Sequence, residues 1–253
     1  MYAEQRQQRI VELARGAGRV DVAALAAEFE VTAETVRRDL TALERNGLLR
    51  RVHGGAIPVE RLGFEPGLAA RNTVMTEEKE RIAKAALAEL PTGGSVLLDA
   101  GTTTARLAEL LPGDRDLTVV TNALPIALTL SVRPGLTLLL LGGRVRGRTL
   151  AAVDDWALQG LRDVNVDVAF VGTNGISVER GLTTPDPAEA AVKQAMIAAA
   201  RRVVVLADHT KVGAETFARF GDLGDVDLLV TDAGLDPAGT ARLEAAGLEV
   251  VRA

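Results

Sequence analysis

The residues best placed for chemistry follow the apolar segment SVLLDA, where the chain enters Gly101-Thr102-Thr103-Thr104 and then a predicted helix. Glycine lets the backbone approach a ligand closely, amides and hydroxyl groups donate hydrogen bonds, and the helix dipole favours negative charge. No Gly-Lys-Ser/Thr follows, as a Walker loop would require, and the glycine spacing is not that of a dinucleotide fingerprint. The turn therefore predicts a phosphate site, with a plain strand-to-helix connection as the alternative.

Further polar residues follow other apolar segments, and open parallel sheets bind ligands at the carboxyl ends of their strands. We therefore expect one ligand pocket there, together with the glycine–threonine turn. The candidate residues are Asp99, Gly101, Thr102, Thr103, Thr104, Thr121, Asn122, Gly142, Gly143, Arg144, Arg146, Gly172, Asn174, Glu189, Lys193, Asp208 and Lys211.

Several of these candidates have a plainer interpretation. Glu189 and Lys193 lie four residues apart, a spacing that also suits a surface ion pair contributing a few tenths of a kcal/mol. Asp208 and Lys211 can equally begin a surface loop or helix. The arginines between 144 and 148 can be a solvated loop, and His209 is interpreted as a loop residue.

A second group of residues suits DNA. A predicted helix turns Val36, Leu40 and Leu43 inward, which leaves hydroxyl groups and arginines facing outward near its start. Hydroxyl groups and the dipole at a helix start bind phosphate, and arginine reaches guanine edges in the major groove. Basic residues on a following hairpin would add backbone or minor-groove contacts. The candidates for DNA contact are Thr32, Glu34, Thr35, Arg37, Arg38, Arg50, Arg51 and His53. The alternative is a three-helix dimerisation head with solvated arginines.

The elements that position these arginines are short. Apolar spacing predicts helices over 4–15, 22–29 and 33–46, with Asp21 and Thr32 as N-caps of the second and third. Residues 48–57 alternate around two glycines, as a short hairpin does. The sequence thus predicts a winged helix-turn-helix domain over 1–57, followed by a linker over 58–76.

From residue 77 to 253, helical and strand patterns alternate. The apolar strands are too continuous to have a solvated face, which predicts an α/β domain whose mostly parallel sheet is covered on both sides. The predicted helices are 77–90, 104–111, 123–131, 153–161, 187–200 and 237–246, and the predicted strands are 95–99, 117–121, 136–141, 166–171, 202–206, 227–231 and 248–251.

Composition excludes several classes of protein. The 253 residues include no cysteine, which excludes disulfides and thiolate metal sites. Net charge is −5, but residues 1–58 hold nine Arg against eight Asp and Glu, so a slightly basic head precedes an acidic remainder. No secretory signal or membrane-length apolar segment is present. We therefore expect a cytoplasmic protein without a membrane partner.

The N-terminal segment, above all VTAETVRRDLTALERNGLLRRVHGGA, resembles the signature of DeoR-type bacterial transcriptional regulators. The segments EKERIAKAA, LLDAGTTT, VVTNALPIA, LLGG and FVGTNGIS are similar to the sensor domain of that family. The resemblance implies that Thr32, Thr35, Arg37 and Arg38 lie on the helix that contacts operator DNA. It also implies a homodimer or homotetramer that responds to a phosphorylated sugar.

The sensor domain resembles ribose-5-phosphate isomerases and glucosamine-6-phosphate deaminases in fold, so a sugar-phosphate enzyme is the rival hypothesis. Glu189 matches the general base of such isomerases. Their acidic cluster, however, is replaced by Gly172-Thr173-Asn174-Gly175, and their lysine by Leu182-Thr183-Thr184. Proton shuttling needs a second acid–base group. We therefore expect sugar-phosphate binding without turnover, with no catalytic residue, cofactor or metal.

The stretches LGGRVRGRTLAAVDDWA and GLTTPDPAEAAVK look most like DeoR-type repressors of fructose-utilisation operons in high-GC actinobacteria. A composition of 25 arginines and four lysines agrees with such a genome. The implied effector is fructose 1-phosphate, with other ketose or polyol phosphates as alternatives. Asp154, Asp155 and Trp156 replace the glycine that is commoner in the family. An activator of the same class remains an alternative to a repressor.

Overall fold

The computed structural model describes residues 2–17, 19–58 and 65–253, and the chain divides into two compact units, Met1–Val74 and Met75–Ala253. The first unit contains helices α1 (Ala3–Ala17), α2 (Val22–Glu28), α3 (Ala33–Arg45) and α4 (Leu68–Asn72), and strands β1 (Val20–Asp21), β2 (Leu49–Val52) and β3 (Gly55–Pro58).

The predicted helices and hairpin of the first unit are confirmed to within two residues. The side chain of Asp21 accepts a hydrogen bond from Ala23 N, and that of Thr32 accepts one from Thr35 N, so both predicted N-caps form. Ile10, Leu25, Leu40 and other apolar residues of the three helices are buried in one core. Burial of these side chains stabilises helices that are individually too short to persist in water.

The hairpin acquires a third strand that the sequence did not predict. β1 pairs with β3 in antiparallel register, with Val20 opposite Ala56 and Asp21 opposite Gly55. A Cβ atom at Gly55 would lie 1.9 Å from the carbonyl oxygen of Val20, so only glycine allows this approach. Two-residue strands have no sequence period, which explains why β1 was missed.

Part of the predicted linker over 58–76 is helical. Residues 59–64 lie outside the described residues, but α4 occupies Leu68–Asn72 and the next helix begins at Thr76. Arg71 Nη1 lies 3.2 Å from Glu65 Oε1, whose side chain is buried. The described part of the predicted linker therefore contains a short helix.

The second unit is an α/β domain. Its helices are α5 (Thr76–Ala86), α6 (Thr102–Leu110), α7 (Leu124–Leu130), α8 (Asp155–Arg162), α9 (Pro187–Ala198) and α10 (Pro237–Ala245). Its strands are β4 (Gly94–Leu98), β5 (Leu117–Thr121), β6 (Leu136–Leu140), β7 (Arg144–Val145), β8 (Ala152–Val153), β9 (Val166–Gly172), β10 (Gly175–Ser177), β11 (Gly181–Thr184), β12 (Ala200–Leu206), β13 (Ala218–Gly221), β14 (Leu228–Thr231) and β15 (Glu249–Arg252).

Seven strands form the central sheet in the order β15-β14-β12-β9-β4-β5-β6, and every neighbouring pair is parallel. Successive residues of β9 point to opposite faces. Val168 and Phe170 join one apolar core, and Ala169 and Val171 join the other. The predicted parallel sheet with two covered faces is thus confirmed, and the bounds of its predicted helices and strands hold to within four residues.

Two predictions for this unit are wrong, and two small β-structures were not predicted. Thr102 and Thr103 form the first turn of α6 instead of preceding it. The antiparallel sheet β10-β11-β13 and the hairpin β7–β8 were not predicted, because their strands are only two to four residues long. The apolar segment of β6 is not covered on both faces, since Leu139 and Leu140 are 48% and 47% exposed at the edge of the sheet.

The order of the strands predicts where a ligand binds. The chain builds β4, adds β5 and β6 on one side, and then returns to place β9 on the other side of β4. Open parallel sheets bind ligands where the order reverses in this way, beyond the carboxyl ends of the strands. Among the described residues, no helix is long and apolar enough to cross a membrane.

Candidate functional sites

The crevice between the carboxyl ends of β4 and β9 contains a buried ion pair. Lys193 Nζ donates to Asp99 Oδ2, and it also donates to Gly172 O at 2.9 Å. The backbone N–H of Gly172 donates to Asp99 Oδ2 at 2.9 Å. The structure therefore brings together three of the predicted site residues, and Lys193 bridges the two strands at the reversal point.

Burial dominates the electrostatics of this pair. It raises the pKa of Asp99, and the neighbouring Lys193 and the Gly172 N–H only partly offset that effect. Asp99 and Lys193 are 1% and 4% exposed. An uncompensated charge would be costly at such a depth, so each group depends on the other.

Glu189 does not pair with Lys193, and the interpretation of the two as a surface ion pair is wrong. Glu189 is 6% exposed and accepts hydrogen bonds from Arg146 Nη1 at 2.5 Å and from Thr149 Oγ1. Arg146 Nε also lies 3.2 Å from Asp186 Oδ2. Asp186 caps α9, where its side chain accepts from the N–H of Ala188 and of Glu189.

Arg146 and Thr149 lie on the connection between β7 and β8, so this hairpin is held against the start of α9. The side chain of Arg146 is only 11% exposed, which contradicts its interpretation as part of a solvated loop. Arg144 points elsewhere: its Nε lies 2.6 Å from Asp154 Oδ2, and its side chain is 61% exposed. Arg148 is likewise exposed.

The predicted phosphate turn forms the start of α6. Gly101 is the N-cap residue, and Thr102, Thr103 and Thr104 are all buried in the first turn. Thr104 Oγ1 donates to Gly101 O at 3.0 Å. The first N–H groups of a helix lack partners within the helix, so they are available to an anion.

Thr121 and Asn122 brace the site. Thr121 Oγ1 donates to Leu98 O at 2.7 Å and accepts from Ala123 N. Asn122 Oδ1 accepts from Ala100 N at 3.2 Å, and Asn122 Nδ2 donates to Ala152 O at 3.1 Å. These hydrogen bonds tie the end of β5 to the turn after β4 and to β8. The two side chains thus support the backbone around the site, and their contact with a ligand stays a prediction.

The predicted glycine pair after β6 and Asn174 also have local roles. Gly142 is exposed, and Gly143 has φ +143°, where a Cβ atom would lie 2.4 Å from Val153 O. Gly143 is thus required by the approach of β7 to β8. Asn174 Oδ1 accepts from Thr184 Oγ1 at 3.1 Å, which joins the end of β9 to β11.

A second charged cluster lies at the carboxyl end of β12. Asp208 is 2% exposed and caps a short 3-10 turn over His209–Lys211, where Thr210 N donates to its Oδ1 at 3.1 Å. Lys211 Nζ lies 3.9 Å from Asp208 Oδ2. Burial raises the pKa of Asp208, but Lys211, Thr210 and Lys79 outweigh it, so the pKa lies below its usual value. The interpretation of Asp208 as a surface residue is wrong.

His209, predicted to be a loop residue, is held by Asp232 at the end of β14. Its Nδ1 lies 2.8 Å from Asp232 Oδ1, and its N–H donates to Asp232 Oδ2 at 2.7 Å. Burial raises the pKa of Asp232, but these bonds and the Gly234 N–H lower it further than burial raises it. Asp232 directly follows an apolar strand, so the rule that found Asp99 and Asp208 also applied to it.

In the first unit, α3 and the hairpin line a groove of about 450 Å³. The lining residues are Glu34, Arg37, Arg38, Thr41, Ala42, Arg45 and Arg51. Arg51 connects the two elements, because its Nη1 donates to Thr41 Oγ1 at 3.3 Å and its N–H donates to Glu44 Oε1 at 2.9 Å. A groove with four arginines suits the phosphates of a nucleic acid.

The other predicted DNA contacts lie outside this groove. Thr32 and Thr35 share a hydrogen bond of 2.9 Å between their hydroxyl groups at the start of α3. Arg50 and His53 are exposed on the hairpin, and Arg50 points to the face opposite Arg51 because they are adjacent in β2. Arg19 Nη2 donates to His53 O at 3.0 Å, which fixes the tip of the hairpin.

A buried charge network connects α3 to α1. Arg6 Nε lies 2.5 Å from Asp39 Oδ2, and Gln7 Nε2 donates to Asp39 Oδ1 at 2.9 Å. Both charged side chains are less than 10% exposed. Because Arg6 and Gln7 belong to α1, this network fixes the orientation of the arginine-bearing helix.

Comparison with known proteins agrees with this division of the chain. Residues 6–61 match the DeoR-like helix-turn-helix domain, and residues 74–233 match the DeoR C terminal sensor domain. The chain belongs to the DeoR family of transcriptional regulators. The resemblance seen in the sequence is thereby confirmed, and the expected DNA-binding and sensor parts are both present.

Relatives within the DeoR family span nearly the whole chain. The HTH-type transcriptional regulator GlpR of Haloferax volcanii is 39% identical over 99% of this chain and 98% of that protein. FruR of Bacillus subtilis, an uncharacterized HTH-type transcriptional regulator, is 36% identical over 92% of each chain. The glycerol-3-phosphate regulon repressor of Escherichia coli (strain K12) is 33% identical over 92% of each chain.

Membership in the DeoR family makes this chain a regulator and not an enzyme, as expected from the sequence. Glu189 accepts hydrogen bonds from Arg146 and Thr149. Leu182, Thr183 and Thr184 are buried in β11.

Sequence reasoning missed several members of both DeoR-family sites. On the DNA side it missed Thr41 and Arg45, which follow Arg37 and Arg38 at helical spacing on the same face and were open to prediction. In the sensor unit it missed Lys79, Thr149, Asp186 and Asp232. Of these, Asp232 and Asp186 carried local signals, because Asp232 follows an apolar strand and Asp186 caps α9. Lys79 and Thr149 act through contacts distant in sequence.

Proposed function

We propose that this DeoR-family chain is a cytoplasmic repressor of a sugar-catabolism operon and is released from its operator by a phosphorylated sugar. The observation that carries the proposal is the ion pair Lys193–Asp99 at the reversal point of the sheet, beside the start of α6. The Lys193 cation, the hydrogen-bond-accepting carboxylate of Asp99 and the start of a helix meet there. This combination suits a ligand with both hydroxyl groups and a phosphate.

The phosphate is assigned to the first turn of α6, which Gly101, Thr102, Thr103 and Thr104 form. The sugar would extend toward β9 and β12, where Lys193, beside Gly172, and Lys211 supply donors. The ends of β4 and β12 are two strand spacings apart, about 10 Å, which a phosphorylated hexose can bridge. Glu189 and Arg146 would contact hydroxyl groups on the side of the β7–β8 hairpin.

Release of DNA needs a coupling free energy between the two units. An effector that binds the non-DNA-binding arrangement more tightly shifts the population toward it. The helix-turn-helix is expected to bind operator half-sites spaced by whole turns of DNA, which requires a homodimer or homotetramer. The proposed DNA contacts are Thr32, Glu34, Thr35, Arg37, Arg38, Arg50, Arg51 and His53, now joined by Thr41 and Arg45.

Fructose 1-phosphate is the first candidate for the effector. It is supported by the resemblance of residues 141–157 to fructose-operon repressors and by the Bacillus subtilis relative named FruR. Glycerol 3-phosphate is the second candidate, because the Escherichia coli relative is named a glycerol-3-phosphate regulon repressor. Both ligands carry one phosphate and free hydroxyl groups, so the proposed site serves either.

Titration calorimetry with the full chain tests the effector site. Fructose 1-phosphate, glycerol 3-phosphate and unphosphorylated fructose are titrated separately into the wild type, Lys211→Ala and Arg37→Ala. We expect one of the phosphates to bind, fructose not to bind, and Lys211→Ala to bind at least tenfold more weakly, since it loses a charge-assisted hydrogen bond.

Arg37→Ala is the matched control, because it removes one cation from the other unit and is expected to leave phosphate binding unchanged. Wild-type affinity in Lys211→Ala would reject the assigned pocket. Turnover of ribose 5-phosphate or fructose 1-phosphate would reject the regulator assignment in favour of a sugar-phosphate enzyme.

A further inference from the structure

The two edges of the central sheet are protected differently. β15, at one edge, carries exposed Glu249 and Arg252 at its ends, and charged residues discourage a second strand from pairing there. β6, at the other edge, lies in an uncharged stretch that runs from Pro134 to Gly143. Among the described residues, no strand pairs with the outer side of β6.

Exposed apolar side chains gather around this unprotected edge. Leu139 and Leu140 of β6 are 48% and 47% exposed. α7 packs against β6 and exposes Leu128 at 73%, and Val132 just after it is 82% exposed. These two side chains extend the apolar surface of the strand.

α8 brings an exposed tryptophan to the same edge. A Cβ atom at Gly160 would lie 2.9 Å from Leu141 Cδ2, so that side of α8 faces the end of β6. Trp156 lies one helical turn earlier on the same side and is 75% exposed. Five of the twelve large apolar side chains exposed in the described part of the chain therefore lie on β6 or on the helical segments next to it. We call these five the β6 patch: Leu128, Val132, Leu139, Leu140 and Trp156.

We propose that the β6 patch is covered by the β6 patch of a second copy of this chain, with the two β6 strands pairing antiparallel across a two-fold axis. In such a contact residue i of one copy faces residue j of the other and j faces i, and like charges that come opposite each other are destabilising. The absence of charge from Pro134 to Gly143 removes that repulsion. Exposed apolar side chains on an edge strand and on the helices that flank it favour an interface, and the free strand edge supplies backbone hydrogen bonds to it.

A second copy fits better than a different protein. Because β6 is uncharged, it has no pattern of charges that would select a different protein. A second copy of this chain, in contrast, always carries the same uncharged edge strand. The choice also rests on the proposed function, since reading two operator half-sites requires two helix-turn-helix units. The test below uses neither DNA nor effector, so its failure is distinguishable from failure of the proposed function.

The first test is the mass of the full chain by sedimentation equilibrium. We expect the wild type to be a dimer or tetramer and Leu139→Lys to have half the wild-type mass, because each copy would bury an unpaired lysine charge in the contact. Val251→Lys is the matched control, as it places the same charge on an exposed apolar residue of the opposite edge strand. It is expected to keep the wild-type mass.

The second test does not depend on a disruptive substitution. The chain has no cysteine, so a single introduced thiol reports only its own surroundings. Thr137→Cys, on the exposed side of β6, is expected to cross-link into a covalent dimer with a short bis-maleimide, whereas Val251→Cys is expected to remain a single chain.

Two results would overturn the proposal. One is a wild-type chain that sediments as a monomer, which would leave the β6 patch to a different partner. The other is an oligomer that Val251→Cys cross-links and Thr137→Cys does not, because the second copy would then lie at the opposite edge.

Discussion

The two candidate sites of this regulator carry their charges in opposite ways. On α3 of the first unit, Arg37 is paired with Glu34 at 3.5 Å, and their side chains are 52% and 72% exposed. At the crevice of the second unit, the side chains of Asp99 and Lys193 are 2% and 5% exposed. The first pair is exposed to solvent, and the second pair is almost completely buried.

The difference matches the ligands proposed for each unit. A DNA backbone approaches from outside and supplies its own charges, so arginines on a solvated helix need no fixed partner. A small sugar phosphate must be recognised within a crevice, where each charge has to be compensated before the ligand arrives. Exposed pairs contribute about 0–1 kcal/mol to stability, whereas breaking a buried pair costs about 3–5 kcal/mol.

The largest expected effect comes from breaking the buried pair of the second unit. Lys193→Met leaves the Asp99 carboxylate without its cation, and we expect the free energy of unfolding to fall by about 3–5 kcal/mol. Urea unfolding of the full chain, followed through the second unit, measures this loss. The double variant Asp99→Asn/Lys193→Met is expected to be more stable than Lys193→Met alone. If Lys193→Met were as stable as the wild type, the ion pair would not stabilise the fold.

The next prediction probes the exception in the first unit, where Arg6 and Asp39 form a buried pair behind α3. Arg6→Met should lower the stability of this unit by about 3 kcal/mol. It should also weaken DNA binding, because α3 loses the contact that orients it. Arg37→Met, on the exposed face, is the control for stability. Equal unfolding midpoints for the two variants would contradict the distinction between buried and exposed charge.

The exposed arginines should affect binding without affecting folding. Arg38→Ala is expected to weaken specific DNA binding by about 1–3 kcal/mol if the arginine reads a base, and to change stability by less than about 0.5 kcal/mol. Fluorescence anisotropy and urea unfolding measure the two quantities on the same sample. Arg45→Ala should weaken binding to all sequences and reduce the salt slope by about one. Reduced effector affinity in either variant would overturn the division of roles.

The smallest expected effect is on acid stability. The folded-state pKa of Asp232 lies below its usual value, so its hydrogen bonds to His209 and Gly234 stabilise the fold above the unfolded pKa. That contribution is lost as the pH falls from about 4 through the folded pKa. The free energy of unfolding is measured with urea between about pH 6 and pH 3, roughly the acid range of a carboxylate. It should fall less steeply with decreasing pH in Asp232→Asn than in the wild type. An unchanged slope would contradict the lowered pKa.

The elements that sequence alone predicted are those fixed by local chemistry. Asp21 and Thr32 cap their helices because the accepting oxygen and the donating N–H are only two or three residues apart. The apolar strands of the sheet are recognisable because both faces are buried. The crevice residues Asp99, Gly172 and Asp208 follow from one rule about strand ends.

What the sequence could not predict depends on the order of the strands and on partners far along the chain. Lys193 has an acidic neighbour four residues away, yet it pairs with Asp99, 94 residues distant. Glu189 is likewise taken by Arg146 on a hairpin too short to be predicted. The exposure of Leu139 and Leu140 follows from the position of β6 at the edge of the sheet, which the apolar pattern does not encode.

The central claim is that a phosphorylated sugar bound in the second unit releases DNA bound by the first. Fluorescence anisotropy of a labelled fragment from upstream of the chain's own gene tests it, at fixed salt, with fructose 1-phosphate, fructose 6-phosphate, glycerol 3-phosphate and fructose. We expect tight specific binding that one phosphate weakens at least tenfold and fructose leaves unchanged. Tight binding that no phosphorylated sugar weakens, or no specific binding at all, would contradict it.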